Sequence, residues 1–437
     1  MYLTGRLPVL VALGVVPVVL LGSAGIPAWP VAVVWLLLCT SAALADAAAA
    51  PDPRTLRVTR TGPARTRLGE RIDTAVVVDN RGTRRVRGRL RDAWQPTAGA
   101  PGRRAALDVP AGERRTIPVP LRPRRRGELR SEVVVVRSAG PLGLAGRQAR
   151  IDAPGAVRVL PSFASRRHLP SRLARLRELD GNTSVQVRGQ GTEFDSLREY
   201  VRGDDVRSID WRATARAGTT MLRTWRPERD RHVVIIVDTG RTAAARVGDG
   251  VRLDAAIEAA LLLAALAARG GDHVHLAMFD RVLRARVTGV DGAPLLPALM
   301  DAIAPVEALL IDTDWDAAFA QVRAMTSRPS LVVLLTAQDA PEASRGFLGS
   351  LGALTRRAHV LVGTVTDAAP AVPRQATTRR TADDVYRTAS AERDARDAAR
   401  VAAAITRAGG EALSASPDDL PPQIADRYLA LKAAGRL

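Results

Sequence analysis

Val233-Val234-Ile235-Ile236-Val237, running directly into Asp238-Thr239-Gly240-Arg241-Thr242, is the stretch that decides the fold. An apolar run of this length, bounded by polar residues, reads as a buried strand, and the residues after it continue the plan. Leu253 to Ala268 predicts a long apolar helix, His273 to Phe279 a strand, and Val282 to Val287 a further one. Asp314 to Met325 predicts a helix, Leu331 to Leu335 a second central strand, Pro341 to Arg356 a helix and Val360 to Val365 a third central strand. A helix over Ala389 to Ala408, a short strand at Ala412 to Ala415 and a closing helix from Pro417 complete the series. This alternation predicts an α/β domain over residues 232–437, with helices on both faces of the sheet.

Ligands of open α/β sheets gather beyond the carboxyl ends of the central strands. Three loops expected on that rim carry oxygen-bearing side chains: Asp238 and Thr242, then Thr313, then Thr336 and Asp339. Hard oxygen donors of this kind suit Mg²⁺, which keeps several waters and needs few carboxylates. The competing reading makes Asp238 and Thr242 caps for the backbone amides of the following helix. The sequence leaves both open.

Upstream, residues 161–231 read as a connector, opened by a helix with apolar spacing at Leu169, Leu173, Leu176 and Leu179. It continues through Gly189-Gln190-Gly191-Thr192-Glu193-Phe194, Arg198-Glu199-Tyr200, Gly203-Asp204-Asp205, Arg207 and Asp210-Trp211. A hydrolase could use Glu193, Asp195, Glu199, Asp204, Asp205 and Asp210 to hold metals or move protons. Each acid, however, has arginine neighbours whose guanidinium forks suit ion pairing, so the expectation is a structural network fastening the connector to the α/β domain. Trp211 and Trp225 are expected to supply its apolar anchor.

Residues 54–160 read as all-β, with short strand-like runs at Thr74 to Asp79, Val86 to Leu90, Thr116 to Leu121 and Glu132 to Arg137, a spacing that suits a small β-sandwich. This segment holds 25 Arg against 9 Asp or Glu, a net of +16, whereas residues 232–437 are close to neutral. Lys432 is the only lysine, which marks a compositional preference for arginine. Solvated strand faces account for the arginines most simply. Attraction to anionic lipid comes second and nucleic acid third, because no aromatic side chains interleave them as stacking platforms, so no specific nucleic-acid binding is expected.

From Leu7 to Ala45 there are 39 uncharged residues, about twice the roughly 20 that cross a hydrocarbon core. Gly22-Ser23-Ala24-Gly25 and Pro27 divide them, so residues 1–50 are expected to form a hairpin of two transmembrane helices near 7–22 and 28–45. Trp29 and Trp35 fit either a membrane interface or packing between the two helices. A secretory signal cleaved after Ala43-Leu44-Ala45 is the rival reading, but the apolar portion is far too long for one. The positive flank resists translocation, which places the soluble domains in the cytoplasm. Cys39 is the single cysteine, so no intrachain disulfide or thiolate cluster can form.

The run from Gly189 to Trp211 together with the strand ending in Asp238 resembles a bacterial von Willebrand factor A-like family catalogued as domain of unknown function fifty-eight. The resemblance implies a von Willebrand factor A-like (Rossmann-type) domain behind an all-β sandwich and the hairpin. Gly191, Glu193, Phe194, Arg198, Tyr200, Gly203, Asp204, Asp205, Arg207, Asp210 and Trp211 would be its signature. The adhesion site of von Willebrand factor A domains uses an Asp-x-Ser-x-Ser loop, then a Thr and an Asp. Asp238 and Thr242 match the first Asp and the last hydroxyl, Gly240 replaces the middle Ser, and Thr313 and Asp339 match the remaining loops, with Asp312 and Asp314 leaving that register open. By resemblance the chain would be a protein-binding scaffold rather than an enzyme, working with a MoxR-type AAA+ ATPase in the assembly or activation of other proteins, with Mg²⁺ at a degenerate site. A metal-dependent hydrolase, or a basic binder of anionic lipid or nucleic acid, is the alternative. No phosphate loop ending in Gly-Lys-Ser or Gly-Lys-Thr is present, which argues against intrinsic ATPase activity.

Overall fold

In a computed structural model the chain divides into two compact units, Met1–Ser162 and Phe163–Leu437. Residues 103, 187–192, 203, 227–230, 249 and 367–381 lie outside the described structure, as do the side chains of residues 180–196, 224–230, 384 and 387.

The apolar N-terminus forms helices Arg6–Ala12, Val15–Ser23 and Ala28–Ala49. Together they make two stretches, Arg6–Ser23 and Ala28–Thr55, long and apolar enough to cross a membrane. The first is interrupted at Leu13-Gly14 for a packing reason. A Cβ on Gly14 would lie 2.3 Å from the Trp35 indole, whose Nε1 donates to the Leu10 carbonyl at 3.2 Å. Trp35 therefore belongs to the seam between the helices, whereas Trp29 is 73% exposed. Val15, Val16, Val19, Leu36, Leu37 and Leu38 face outward, the distribution a lipid solvent favours. The last helix runs past the predicted 45, because Ala43 and Ala47 pack on Ala145 of the β region.

Asp46 makes that junction specific. Its buried carboxylate accepts the backbone N–H groups of Leu142, Leu144 and Ala145 at 2.7–2.9 Å. Gly140 is required beside it, since a Cβ there would stand 2.3 Å from the Asp46 carbonyl oxygen. The loop Pro141-Leu142-Gly143-Leu144 is thus a cradle for the end of the hairpin.

The β region is built from two sheets that share one core. Strands Leu56–Thr61, Ile72–Asn80 and Arg114–Leu121 form the smaller sheet, with Ile72–Asn80 central. The larger runs in order Tyr2–Leu3, Ala145–Leu160, Gly127–Ala139, Val86–Asp92 and Ala105–Val109, and Arg65–Arg67 pairs with Ala145–Leu160. Ile72–Asn80 alternates buried and less buried positions along its length. Val76, Val78 and Leu121 of one sheet meet Leu90, Val134, Val136 and Val159 of the other in the core.

In the second unit, strands are numbered from the one that opens the α/β sheet: β1 His232–Asp238, β2 His273–Phe279, β3 Leu283–Val287, β4 Pro329–Leu335, β5 His359–Val365 and β6 Glu411–Ala415. Their order is β3-β2-β1-β4-β5-β6, all parallel except β3, which runs antiparallel to β2. Even-numbered residues Val234, Ile236, Val332, Leu334, Val360 and Val362 bury one face against helices Trp315–Met325, Arg345–Thr355 and Ala382–Arg407. Helices Arg252–Arg269 and Leu420–Ala433 pack on one another and against β5. They are tied by a buried triad in which Lys432 Nζ donates to Asp272 at 2.9 Å and Tyr428 donates to the same carboxylate at 2.6 Å. Ahead of the sheet, helix Leu169–Gln186 leads to an antiparallel pair, Glu193–Glu199 with Met221–Arg226, which encloses helix Trp211–Ala217.

Candidate functional site

The order of the strands reverses between β1 and β4, the switch point where helices leave in opposite directions and a crevice opens. Asp238 is the last residue of β1 and Thr336 immediately follows β4, so the fold brings these two to the crevice. Asp238 is only 3% exposed. One carboxylate oxygen accepts the Gly240 N–H at 2.8 Å and the Thr313 hydroxyl at 2.5 Å. The other accepts the Thr336 hydroxyl at 2.6 Å and the Thr242 hydroxyl at 3.2 Å. Three threonines from three loops thus converge on one buried acid.

Around Thr313 the neighbouring acids have partners of their own. Asp312 pairs with Arg241, and Asp314 caps helix Trp315–Met325 by accepting the Ala317 N–H. Among the described residues, Thr313 is the one of the three whose side chain bonds to Asp238. Gly240 is fixed by close approach, because a Cβ there would sit 2.4 Å from the Thr313 hydroxyl and 2.8 Å from the Ile311 carbonyl oxygen. The absent serine hydroxyl is therefore replaced by a loop that has closed onto Thr313.

Asp339 is placed differently from the expectation. Its carboxylate pairs with Arg252, the first residue of helix Arg252–Arg269, and Thr336 takes the place at Asp238 that Asp339 was expected to fill. Arg252 also lines, with Asp238, Thr336, Leu335 and Gly363, a cavity of about 10 Å³, room for a single water-sized occupant. One carboxylate and three hydroxyls form a hard-oxygen donor set of the kind Mg²⁺ takes. They match that ion in donor chemistry, with one acid in place of two and a guanidinium alongside, and of the three hydroxyls only that of Thr336 lines the cavity.

Asp280, at the end of β2, belongs to the same rim and was not singled out in the sequence, although Phe279-Asp280 repeats the strand-end acid of Val237-Asp238. It accepts from the Thr239 hydroxyl at 3.1 Å, from Arg284 at 2.7 Å and from the Arg281 and Val282 amides. Burial pushes its carboxyl up, but Arg284 and the amide donors outweigh that and hold it below the ordinary carboxylate value. It supports the Thr239 turn next to Asp238.

Among the described residues, the ion pairs of the signature close within it. Arg198 pairs with Asp204 and Arg223 with Asp210, and Asp205 and Asp210 cap the helical turns that follow them. Fastening of the connector to the α/β domain is made at its opening, where Arg167 pairs with Asp418, Arg172 with Asp426, and Glu258 accepts from Ser165. Trp211, expected as a buried anchor, is 71% exposed. Tyr200 hydrogen-bonds through its backbone to Thr220 and is half-buried. Gly191 and Gly203 lie outside the described residues, as do the side chains of Glu193, Phe194 and Trp225.

Among solved structures, the CARDB domain of the PF1109 protein from Pyrococcus furiosus, crystallised in complex with di-metal ions, is similar at 16% identity and a TM-score of 0.19, over 24% of this chain and 87% of that one. A FixG-related protein from Vibrio parahaemolyticus is similar at 10% identity and a TM-score of 0.19, over 24% of this chain and 96% of that one. At such scores the likeness transfers neither fold nor function. No curated protein matches the chain. Residues 196–406 match the profile of a family described as "Protein of unknown function DUF58".

Proposed function

We propose, from the premise that residues 196–406 make this chain a member of the DUF58 family, that it is a membrane-anchored docking protein whose α/β domain is von Willebrand factor A-like and presents Asp238 to a partner. The single observation that carries the reading is the convergence of Thr242, Thr313 and Thr336 on buried Asp238 at the switch point of the sheet. The buried structural acid Asp46 takes its three donors from backbone amides of a single loop. At Asp238 three separate loops are held to the acid by hydroxyls, groups that serve equally as metal ligands. Asp238, Thr242 and Thr313 would hold a Mg²⁺, whose open coordination position would take a partner's carboxylate. The antiparallel edge strand β3 and the strand-end Asp agree with the von Willebrand factor A plan.

The hairpin would anchor the chain in the cell membrane. A helix that continues through Ala43-Leu44-Ala45 and packs Ala43 and Ala47 on Ala145 favours retention over cleavage. The net of +16 over residues 54–160 favours a cytoplasmic position for both soluble units. Binding rather than turnover is supported by the signature acids, which are engaged as caps and arginine partners. The partner class implied by the resemblance is a MoxR-type AAA+ ATPase acting in assembly or activation of other proteins. Crosslinking of the native membrane protein, wild type against Asp238→Ala, tests the reading with and without Mg²⁺. Loss of one defined protein adduct in the variant is expected; an unchanged adduct pattern would leave Asp238 a structural residue.

A further inference from the structure

The segment Val201 to Arg216 carries a surface that the Asp238 site does not use. Val201, Val206 and Trp211 are 62%, 61% and 71% exposed, in a chain whose aromatic content is only 3%. The residue before the indole is nevertheless firmly held. Asp210 accepts the Arg212 and Ala213 amides at 2.9 and 3.0 Å and the Arg223 guanidinium at 2.7 Å, and its own N–H donates to the Met221 carbonyl. Helix Trp211–Ala217 then ends at Gly218 in the left-handed region, with the Thr214 hydroxyl accepting the Met221 N–H. Trp211 is thus exposed on a backbone that is fixed at both ends, and an aromatic side chain held this way loses little freedom on binding.

Charge supplies the second observation. Two of the segment's three acids are half-buried and engaged by arginines, Asp204 by Arg198 and Asp210 by Arg223, while Asp205 is exposed and accepts the Arg207 N–H. Arg202, Arg207, Arg212 and Arg216 are exposed, and among the described residues no ion pair engages them. What the segment offers to solvent is an exposed indole on a stretch that also exposes four arginines against the single acid Asp205, and Trp and Arg are the residue types that dominate protein interfaces.

We infer that this segment is a second docking surface, which takes an acidic segment of a protein partner by seating Trp211 in an apolar pocket ringed by carboxylates. A bilayer would accept the same residues, but it would not require the four hydrogen bonds that fix Asp210. The inference deepens the docking reading without depending on Asp238.

The test places the photo-crosslinking residue p-benzoylphenylalanine at position 211 of the full chain in its native membrane and sequences the adducts. A protein adduct through a peptide with more acidic than basic residues is expected, falling at least tenfold with Arg207→Glu/Arg212→Glu and unaltered by Asp238→Ala. Both arginine side chains lack ion-pair partners in the described structure, and an unchanged circular dichroism spectrum verifies that the double variant folds. Lipid adducts, or a protein adduct indifferent to charge reversal, would overturn the surface. Loss of the adduct with Asp238→Ala alone would likewise overturn it and leave the Asp238 reading standing.

Discussion

Asp238 sets the terms at the scale of single residues, since every neighbour it has is a donor. Removing one donor while keeping the shape, as in Thr313→Val, leaves a buried carboxylate oxygen short of a hydrogen bond, and should cost about 1–3 kcal/mol in urea unfolding. Restoring the serine of the Asp-x-Ser-x-Ser pattern by Gly240→Ser should not rebuild a better site. Its Cβ would press on Thr313 and on the Ile311 carbonyl, a strain of about 1–3 kcal/mol. A variant with undiminished stability and tighter Mg²⁺ binding by calorimetry would show that the loop opens freely. Asp238, Thr242 and Thr313 were legible in the sequence because they follow or lie between strongly patterned elements. The pairing of Asp339 with Arg252 was not, because it depends on where a helix begins across the crevice, and spacing along the chain carries no such information.

Elements were legible in proportion to their apolar contrast. The five parallel strands stood out because both faces are covered, and each reads as a run of Val, Ile and Leu or a mixture with Ala and Gly. Helix Leu295–Ile303 was missed because it is short and carries Pro297 inside its first turn. The pair Glu193–Glu199 and Met221–Arg226 was missed because charged residues alternate through it with few apolar ones. Two junctions between elements invite measurement. At the first, Asp46→Asn would set an amide N–H against the donors of the 142–145 loop, and should loosen the hairpin end by about 2 kcal/mol, read as faster exchange of the Leu142, Leu144 and Ala145 amides. At the second, toward the amino ends of the strands that carry Asp238 and Asp280 at their other ends, His275 shares hydrogen bonds with His232 at 2.8 Å and Thr288 at 2.7 Å. Burial, then the neighbouring His232 and His273, lowers its pKa from the ordinary 6.5. The unfolded chain therefore binds a proton more readily, so stability from the neutral ring is complete above about pH 6.5 and is lost as pH falls through the depressed folded value. The urea midpoint of the α/β unit should drop between pH 7.5 and 5.5, and His275→Asn should flatten that slope.

At the scale of the whole molecule the sequence carries an orientation as well as a fold, because charge is distributed so unevenly along it. Two stretches are long and apolar enough to cross a membrane, and if both cross it, Met1 and Pro51 would lie on the same side of the bilayer. The segment that emerges first carries a net of +16, and basic residues close to a span resist being carried across. Composition also supplies the tool to check this. Cys39 is the only thiol in the chain and is buried, at 4% exposure, within the second span. In a Cys39→Ser background, a cysteine introduced at exposed Arg345 of the α/β domain would be the sole reactive group. A membrane-impermeant maleimide should leave it unlabelled in intact cells and label it fully in inverted vesicles. The reverse pattern would place the domain outside the cell, where a cytoplasmic AAA+ ATPase could not reach it, and both the orientation and the partner would have to be abandoned together. Labelling in neither preparation would mean that position 345 is covered, and a second cysteine at exposed Arg407 on helix Ala382–Arg407 then decides the side by the same comparison.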